Sequence, residues 1–495
     1  MYAMATISEA LAIAIQHHQA GRLQAAEQIY RQILAVEPNQ ADAIHFLGLI
    51  AHQLGKHEVA IEYIGRSIEL KRTEAFFHNN LGEAYRALHR IPEAVACYRR
   101  ALELKPGYAQ VYNNLGAAFG HLGKLDEAVA CCRRALELKP DFVDAHNSLG
   151  GALYGQGKLD GAVASYGRAL KLKPDFAEAH WNRALTWLLA GDWQRGWKEY
   201  EWRWQTKDFT PRHFPQPVWD GGSLVGKTIL LHAEQGLGDT IQFIRYTPIV
   251  KQLGGTVVVE CQKPLLGLLE GCAGVDQLIG KGDDLPAFDV HAPLLSVPGI
   301  TNTSVETIPA TIPYLFPRPE IHERWRKTLA EHDSFKIGIV WQGNPGLRRD
   351  RLRSIPLRYF APLTQIPGVC LISLQKGVGT EQTAEVRDLF PVTELDSRLD
   401  EASGAFMDTA AVMMSLDLVV TSDTSIAHLA GALGVPVWVA LSFVPDWRWL
   451  LDRNDSPWYP TMRLFRQERP GEWEGVFQRI EGALRQRVVE TVHCP

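Results

Sequence analysis

Cysteine is scarce and scattered. The seven in 495 residues (Cys97, Cys131, Cys132, Cys261, Cys272, Cys370 and Cys494) form no CxxC pair and no Cys/His ladder. That excludes a zinc ribbon, a dithiol redox motif and a disulfide scaffold, and predicts reduced, mostly packed thiols. Charge of one sign is not in excess either: 51 Lys and Arg stand against 56 Asp and Glu, a net of -5. Nothing global draws the chain to nucleic acid or an anionic membrane, so any basic site must be local. Long apolar runs are missing too. The most apolar, Leu429 to Val444, is broken by Gly431, Gly434 and Pro436 and falls short of the roughly 20 residues a membrane span needs. The N-terminus lacks the basic start and continuous apolar core of a signal peptide. These absences predict a cytoplasmic protein with no membrane span and no nucleic-acid partner. What remains is ordinary globular composition, 46% apolar and 22% charged, in a chain long enough for two to four domains at roughly 100 to 200 residues each.

The first half repeats with a period of 34 residues. Ala26, Ala60, Ala94, Ala128 and Ala162 lie one period apart, as do Gly48, Gly82, Gly116 and Gly150, and Pro38, Pro106, Pro140 and Pro174, with Arg72 in the vacant proline slot. Each unit reads as two amphipathic helices with small residues at their close approach, a turn glycine (Gly21, Gly55, Gly123, Gly157, Gly191) and a proline ending the second helix. The pattern matches tetratricopeptide repeats, about five between Ser8 and Ala190, stacked into a superhelix whose groove suits a protein or peptide. Asn79, Asn113 and Asn147 share one register; Asn80, Asn114 and Asn182 share the next, with Ser148 between. This ladder could bond an extended peptide, or equally bond one repeat to the next.

Six of the 14 tryptophans fall between Trp181 and Trp204, which predicts an aromatic seam joining the solenoid to the next domain; Thr210 to Trp219, with three prolines, reads as linker. Gly221 to Thr228, GGSLVGKT, fits the phosphate-loop pattern letter for letter. The mechanism behind that pattern needs a strand before it and a helix opening at the Lys and Thr. A proline-rich linker precedes and a β-rich run comes after, so hydrolysis through Lys227 is set aside.

Beyond the linker, strand and helix patterns alternate: TILLHA, a Gly236-Leu237-Gly238-Asp239 turn, a helix over 240–253, TVVVEC, VDQLIG and FDVHAPLL. A second series runs KIGIVW, 369–374, a helix near 383–389, LDLVVTS, the loop Asp423-Thr424-Ser425, a helix over 426–433 and VPVWVAL. Two βαβ series predict two parallel sheets with a cleft between.

The residues of this half resemble the heptosyltransferases and related inverting glycosyltransferases of the GT-B fold. The Gly236–Asp239 turn after the first strand resembles that family's opening element. Asp423, Thr424, His428, Leu429 and Ala430 match its D-[TS]-x-x-x-H-[LI]-A element. Trp341 to Pro345 with the basic run 348–353, and Ser373 to Gly377 followed by Glu381, look like its donor loops. The fold class implied is an all-α tetratricopeptide superhelix followed by α/β twin Rossmann units. Its bounds are 1–205 for the solenoid with a Trp-rich cap, 206–227 linker, 228–320 acceptor side, 321–445 nucleotide-sugar side, and 446–495 a segment packing back across them. Repeats fused to such a unit also resemble the architecture of O-linked N-acetylglucosamine transferases, whose sequence motifs are not clearly present.

The resemblance implies a metal-independent transferase with a nucleoside-diphosphate sugar as co-substrate and no other cofactor, acting on a protein or glycan acceptor. Asp239 is the implied general base. Gly236, Gly238, Asn344, Arg351, Arg353, Lys376, Asp423, Thr424, Ser425 and His428 would hold the donor, and Glu381 its ribose. Each has a structural alternative: Asp239 and Asp423 as helix caps, His428 as a packed side chain, the arginines as a solvated loop. At about 90 residues the acceptor side is short, so the repeats would complete it or it has lost competence. Against the transferase stand an idle domain on an interaction scaffold and the Lys227 hydrolase. Homo-oligomerisation is left open.

Overall fold

The computed structural model describes residues 6–331, 333–346, 350–395, 399–401 and 404–493. Arg348 and Arg349 of the basic run, and Cys494, lie outside them. The chain divides into two compact units, residues 1–182 and 183–495.

The first unit is built from helix pairs. Ile7–Gln19 pairs with Leu23–Val36, Ala41–Gln53 with His57–Leu70, Ala75–Ala87 with Ile91–Leu104, Ala109–His121 with Leu125–Leu138, and Val143–Gly155 with Leu159–Leu172. The periodic glycines are explained by contact. A Cβ on Gly82 would sit 2.5 Å from the Tyr98 ring, one on Gly150 2.5 Å from Tyr166, and one on Gly116 2.8 Å from Cys132 Sγ. The turn glycines Gly21, Gly55, Gly123 and Gly157 all have φ between +72° and +77°. The one turn without glycine places His89 at φ +58°, a conformation costly for a residue with a Cβ. The Asn ladder bonds repeat to repeat. Asn114 Nδ2 donates to Asn79 Oδ1 at 3.0 Å and Asn182 Nδ2 to Asn147 Oδ1 at 3.1 Å, while Asn79 Nδ2 donates to its neighbour Asn80 Oδ1 at 3.1 Å within one helix. Asn79 and Asn114 are buried, so these amides hold the stack together.

The helix Ala177–Leu189 crosses the boundary between units, and Trp193–Tyr200 belongs to the second. Trp193 stacks on Trp458 at 5.4 Å, and Trp197 meets Trp447 edge-on at 5.3 Å while its Nε1 donates to the Thr303 carbonyl. This half of the Trp-rich segment therefore packs within the second unit.

Two parallel sheets make up that unit. The first carries β1 (Thr228–His232), β2 (Thr256–Cys261), β3 (Gln277–Gly280) and β4 (Val290–Pro293) in the order β3-β2-β1-β4. The second carries β5 (Phe335–Val340), β6 (Val369–Ser373), β7 (Thr393–Glu394), β8 (Leu418–Ser422), β9 (Val437–Leu441) and β10 (Met462–Arg466) in the order β10-β9-β8-β5-β6-β7. Read from β7, this is the doubly wound 3-2-1-4-5-6 order, which reverses between β5 and β8. Strands buried on both faces explain the continuous apolar runs: β8 and β9 are buried at every residue. β1 begins at Thr228 and no helix opens at Lys227, which removes the context a phosphate loop needs. The helix expected over 240–253 is broken into Leu237–Phe243, a tighter turn and Thr247–Lys251, because Pro248 fits only the first turn of a new helix. From 446 onward, Arg448 donates to Gln242, on a helix after β1, and the chain goes on to supply edge strand β10 and the helix Glu474–His493.

Candidate functional site

In an open α/β sheet, ligands bind outside the carboxyl ends of the strands where the order reverses. A cavity of about 820 Å³ opens there. Its walls are the loop after β5 (Gln342 to Pro345), the β8 loop with the start of the helix Ser425–Ala432, and, from the first lobe, the turn after β1 (Gln235 to Asp239). Gly238 explains how the lobes come so close. A Cβ there would lie 3.1 Å from both Ser425 Cα and His428 Cδ2.

Of the residues singled out by sequence, Gly236, Gly238, Asp239, Asn344, Arg353, Lys376, Asp423, Thr424, Ser425 and His428 all line this cavity. Two do not. Arg351 is exposed outside it, and Glu381, also exposed, accepts the Gly379 N–H of its own loop at 2.8 Å.

Asp239 both caps its helix and faces the cavity: Oδ2 accepts the Gly236 N–H at 2.8 Å, while Oδ1 pairs with Arg448. Burial pushes its pKa above the ordinary carboxylate value, with Arg448 pulling the other way. Asp423 is raised by burial and then by Asp446, against Arg353 and Arg448. Arg353 is fixed on three sides. Its Nε donates to Asp350 Oδ1 at 3.0 Å, Nη1 donates to the Asp423 carbonyl at 2.8 Å, and Nη2 lies against Gly343. Thr424 caps the eight-residue helix, its hydroxyl accepting the Ile426 N–H at 3.3 Å. That helix starts at the cavity wall, so the positive end of its dipole faces the cavity. Lys376 donates to the Leu399 carbonyl from the opposite rim.

His428 packs rather than projects. Its ring stacks on Trp449 at 5.2 Å, and Nδ1 is 3.0 Å from the Tyr459 hydroxyl. Burial, then the cations Arg448, Arg245 and Arg353, hold its pKa well below the usual value, so it is neutral.

Sequence reasoning passed over three groups that organise this site. Arg448 is buried, stacks 4.5 Å over Trp447, and donates to Asp446 Oδ1 at 2.8 Å and Gln242 Oε1 at 2.6 Å besides Asp239. One guanidinium thus ties the second lobe to the first. Gln375 clamps two loops: Oε1 accepts the Trp341 and Gln342 N–H groups, and Nε2 donates to the Gln342 and Val378 carbonyls. Arg203, fully buried, donates to both oxygens of Glu234 and to Ser296 Oγ. With Gln235 Nε2 donating to Tyr200 Oη at 3.2 Å, it anchors the chain just before the Gly236–Asp239 turn. The arginine and carboxylate letters were visible, but their partners lie up to 209 residues away along the chain.

Models of the tetratricopeptide repeat match residues 11–74 and 109–142, and a TPR repeat model matches 82–123 and 150–191. Protein FlbA of Caulobacter vibrioides is 27% identical over 325 residues, 61% of this chain and 54% of its own length. The chain therefore spans about half of that relative, and the matched stretch, longer than the repeat unit, reaches into the second unit. Among solved structures, the MamA protein is 27% identical over 35% of this chain and 94% of its own, with a TM-score of 0.30. A thermophilic TPR protein of Thermus thermophilus is 25% identical over 37% of this chain and all of its own, with a TM-score of 0.33. The N-terminal region is thus a tetratricopeptide-repeat superhelix, a module of the kind that binds proteins or peptides, followed by an α/β region with two parallel sheets.

Proposed function

We propose that the second unit is a glycosyltransferase of the GT-B, heptosyltransferase-like type, moving a sugar from a nucleoside-diphosphate donor to an acceptor hydroxyl with inversion. The reading is supported above all by the convergence, in one cavity at the strand reversal, of a capped helix N-terminus, Arg353, Lys376 and, from the facing lobe, the Asp239 carboxylate. In this reading the sheet β1–β4 forms the acceptor side and β5–β10 the donor side, with residues from 446 onward crossing between them. The acceptor oxygen forms a bond to the anomeric carbon as that carbon's bond to the diphosphate oxygen breaks. The acceptor proton passes to Asp239, whose pKa burial raises above the ordinary carboxylate value, which makes it a stronger base than an exposed aspartate. The departing diphosphate takes its electron pair onto oxygen facing the Ser425–Ala432 helix N-terminus, Arg353 and Lys376. The repeats would bring a protein or glycan acceptor to it.

One observation favours a second reading, an interaction scaffold with an idle domain: both oxygens of Asp239 already have donors, Arg448 and the Gly236 N–H. A panel of labelled nucleotide sugars offered to the full chain separates the two. The transferase reading expects turnover with one donor class, lost in Asp239→Asn while nucleoside diphosphate still binds; binding without turnover for every donor supports the idle domain.

A further inference from the structure

A second polar cavity lies away from the cleft, between the outer edge of β10 and the helix Glu474–His493, with a volume of about 570 Å³. Three guanidiniums line it, Arg463, Arg466 and Arg479, against a single carboxylate, Glu468. That carboxylate is already paired, accepting Arg479 Nη1 at 2.7 Å. The helix wall is low one turn beyond Arg479: Gly482 and Ala483 line it, and a Cβ on Gly482 would meet nothing within 4 Å.

Arg466 is the unusual member. Its Nε and Nη2 donate to the main-chain carbonyls of Arg453 and Trp449, at 3.1 Å and 2.6 Å, which fixes the guanidinium plane without neutralising it. Its Nη1 is buried and makes no hydrogen bond among the described residues. Burial pulls its pKa down to about 10, opposed by Asp452, which makes no hydrogen bond to it. A partly buried cation held only by neutral carbonyls is an expensive feature unless an anion completes it. Arg463, which also lines the groove, is held by its own ring contact, its guanidinium 4.8 Å over Phe465. Arginines fixed in plane suit the oxygens of phosphate or carboxylate groups.

We propose that this groove is a binding site for a small polyanion bearing phosphate or carboxylate groups, separate from the cleft of the proposed transferase. The cavity is larger than one phosphate needs and falls within the range of small-molecule sites, roughly 300 to 1,000 Å³.

The test is calorimetry of the full chain with inorganic tripolyphosphate, with citrate as the carboxylate arm, in wild type, Arg353→Gln, Arg466→Gln/Arg479→Gln and Gly482→Glu. The last keeps every arginine and sets a carboxylate in the groove wall, one helical turn from Arg479, at a position where a Cβ meets nothing within 4 Å. The groove predicts one equivalent that persists in Arg353→Gln and is weakened at least about tenfold in both groove variants. Whichever polyanion binds tighter names the group recognised. A single equivalent lost only in Arg353→Gln overturns the groove and leaves the cleft reading intact. Binding unchanged by Gly482→Glu, or no binding of either polyanion, also overturns it.

Discussion

Arg448 offers the sharpest test of how the two lobes of the second unit hold together. Arg448→Gln removes the cation shared by Asp239 and Asp446 and pulling on Asp423, and breaks the bond to Gln242 across the lobes. The Arg448 side chain is only 8% exposed and that of Asp239 21%, so the pair counts as buried, whereas Asp446 at 36% is screened and adds little. Breaking a buried pair by deleting one partner costs about 3 to 5 kcal/mol, because the other charge is left without compensation. The cost must depend on pH. Asp239 and Asp423 already have folded-state pKa values above their ordinary ones, and losing Arg448 raises them further. Carboxyls of this kind stabilise the fold when protonated, and that contribution is lost as pH rises from about 4 through the raised folded values. The variant's deficit is therefore largest at neutral pH and shrinks toward pH 4. Urea unfolding followed by tryptophan fluorescence reads this unit selectively, since 13 of the 14 tryptophans lie in residues 183–495. A separate probe is needed because two units need not unfold in one transition. A deficit below about 1 kcal/mol, the size of an exposed pair, or one that is flat with pH would refute the reasoning.

The repeats carry two further expectations, both read from helical circular dichroism during thermal unfolding. Gly82→Ala forces a methyl against the Tyr98 ring and should cost about 1 to 3 kcal/mol, whereas Gly65→Ala, where a Cβ meets nothing, should stabilise by about 0.5 to 1 kcal/mol. Equal effects at the two sites would count against close packing as the reason for the periodic glycines. His89→Gly, relieving the one turn that lacks glycine, should raise stability by up to about 1 kcal/mol; a loss would mean the His89 side chain holds that turn.

The solenoid was legible because each repeat must bury the same face, which stamps a small residue at Gly82, Gly116 and Gly150, one period after another. The inner strands were legible because burial on both faces leaves runs such as LVVTS and VWVAL. β10, MRLFR, was not, since this edge strand carries an exposed Arg463 and a second arginine, Arg466, that interrupt its apolar run. Helix Glu474–His493 was missed because charged residues and two glycines, Gly475 and Gly482, dilute its apolar face. Most of the residues singled out line one cavity because strand ends and helix starts are local signals. Glu381 does not, since the same carboxylate that suits a ribose also satisfies a backbone N–H two residues away. Arg448 could not have been assigned from its neighbours in sequence, as its partnership with Asp239 exists only once the lobes meet.

The central claim is that the cleft at the β5/β8 reversal takes a nucleoside diphosphate. Its most direct test is the tryptophan-monitored melting temperature of the full chain across a series of nucleoside diphosphates, with Arg353→Gln as control. A ligand held at 100 times its Kd should stabilise the second unit by about 2.7 kcal/mol, and that gain should vanish in the variant. No shift with any nucleoside diphosphate, or a shift equal in Arg353→Gln, would contradict the account.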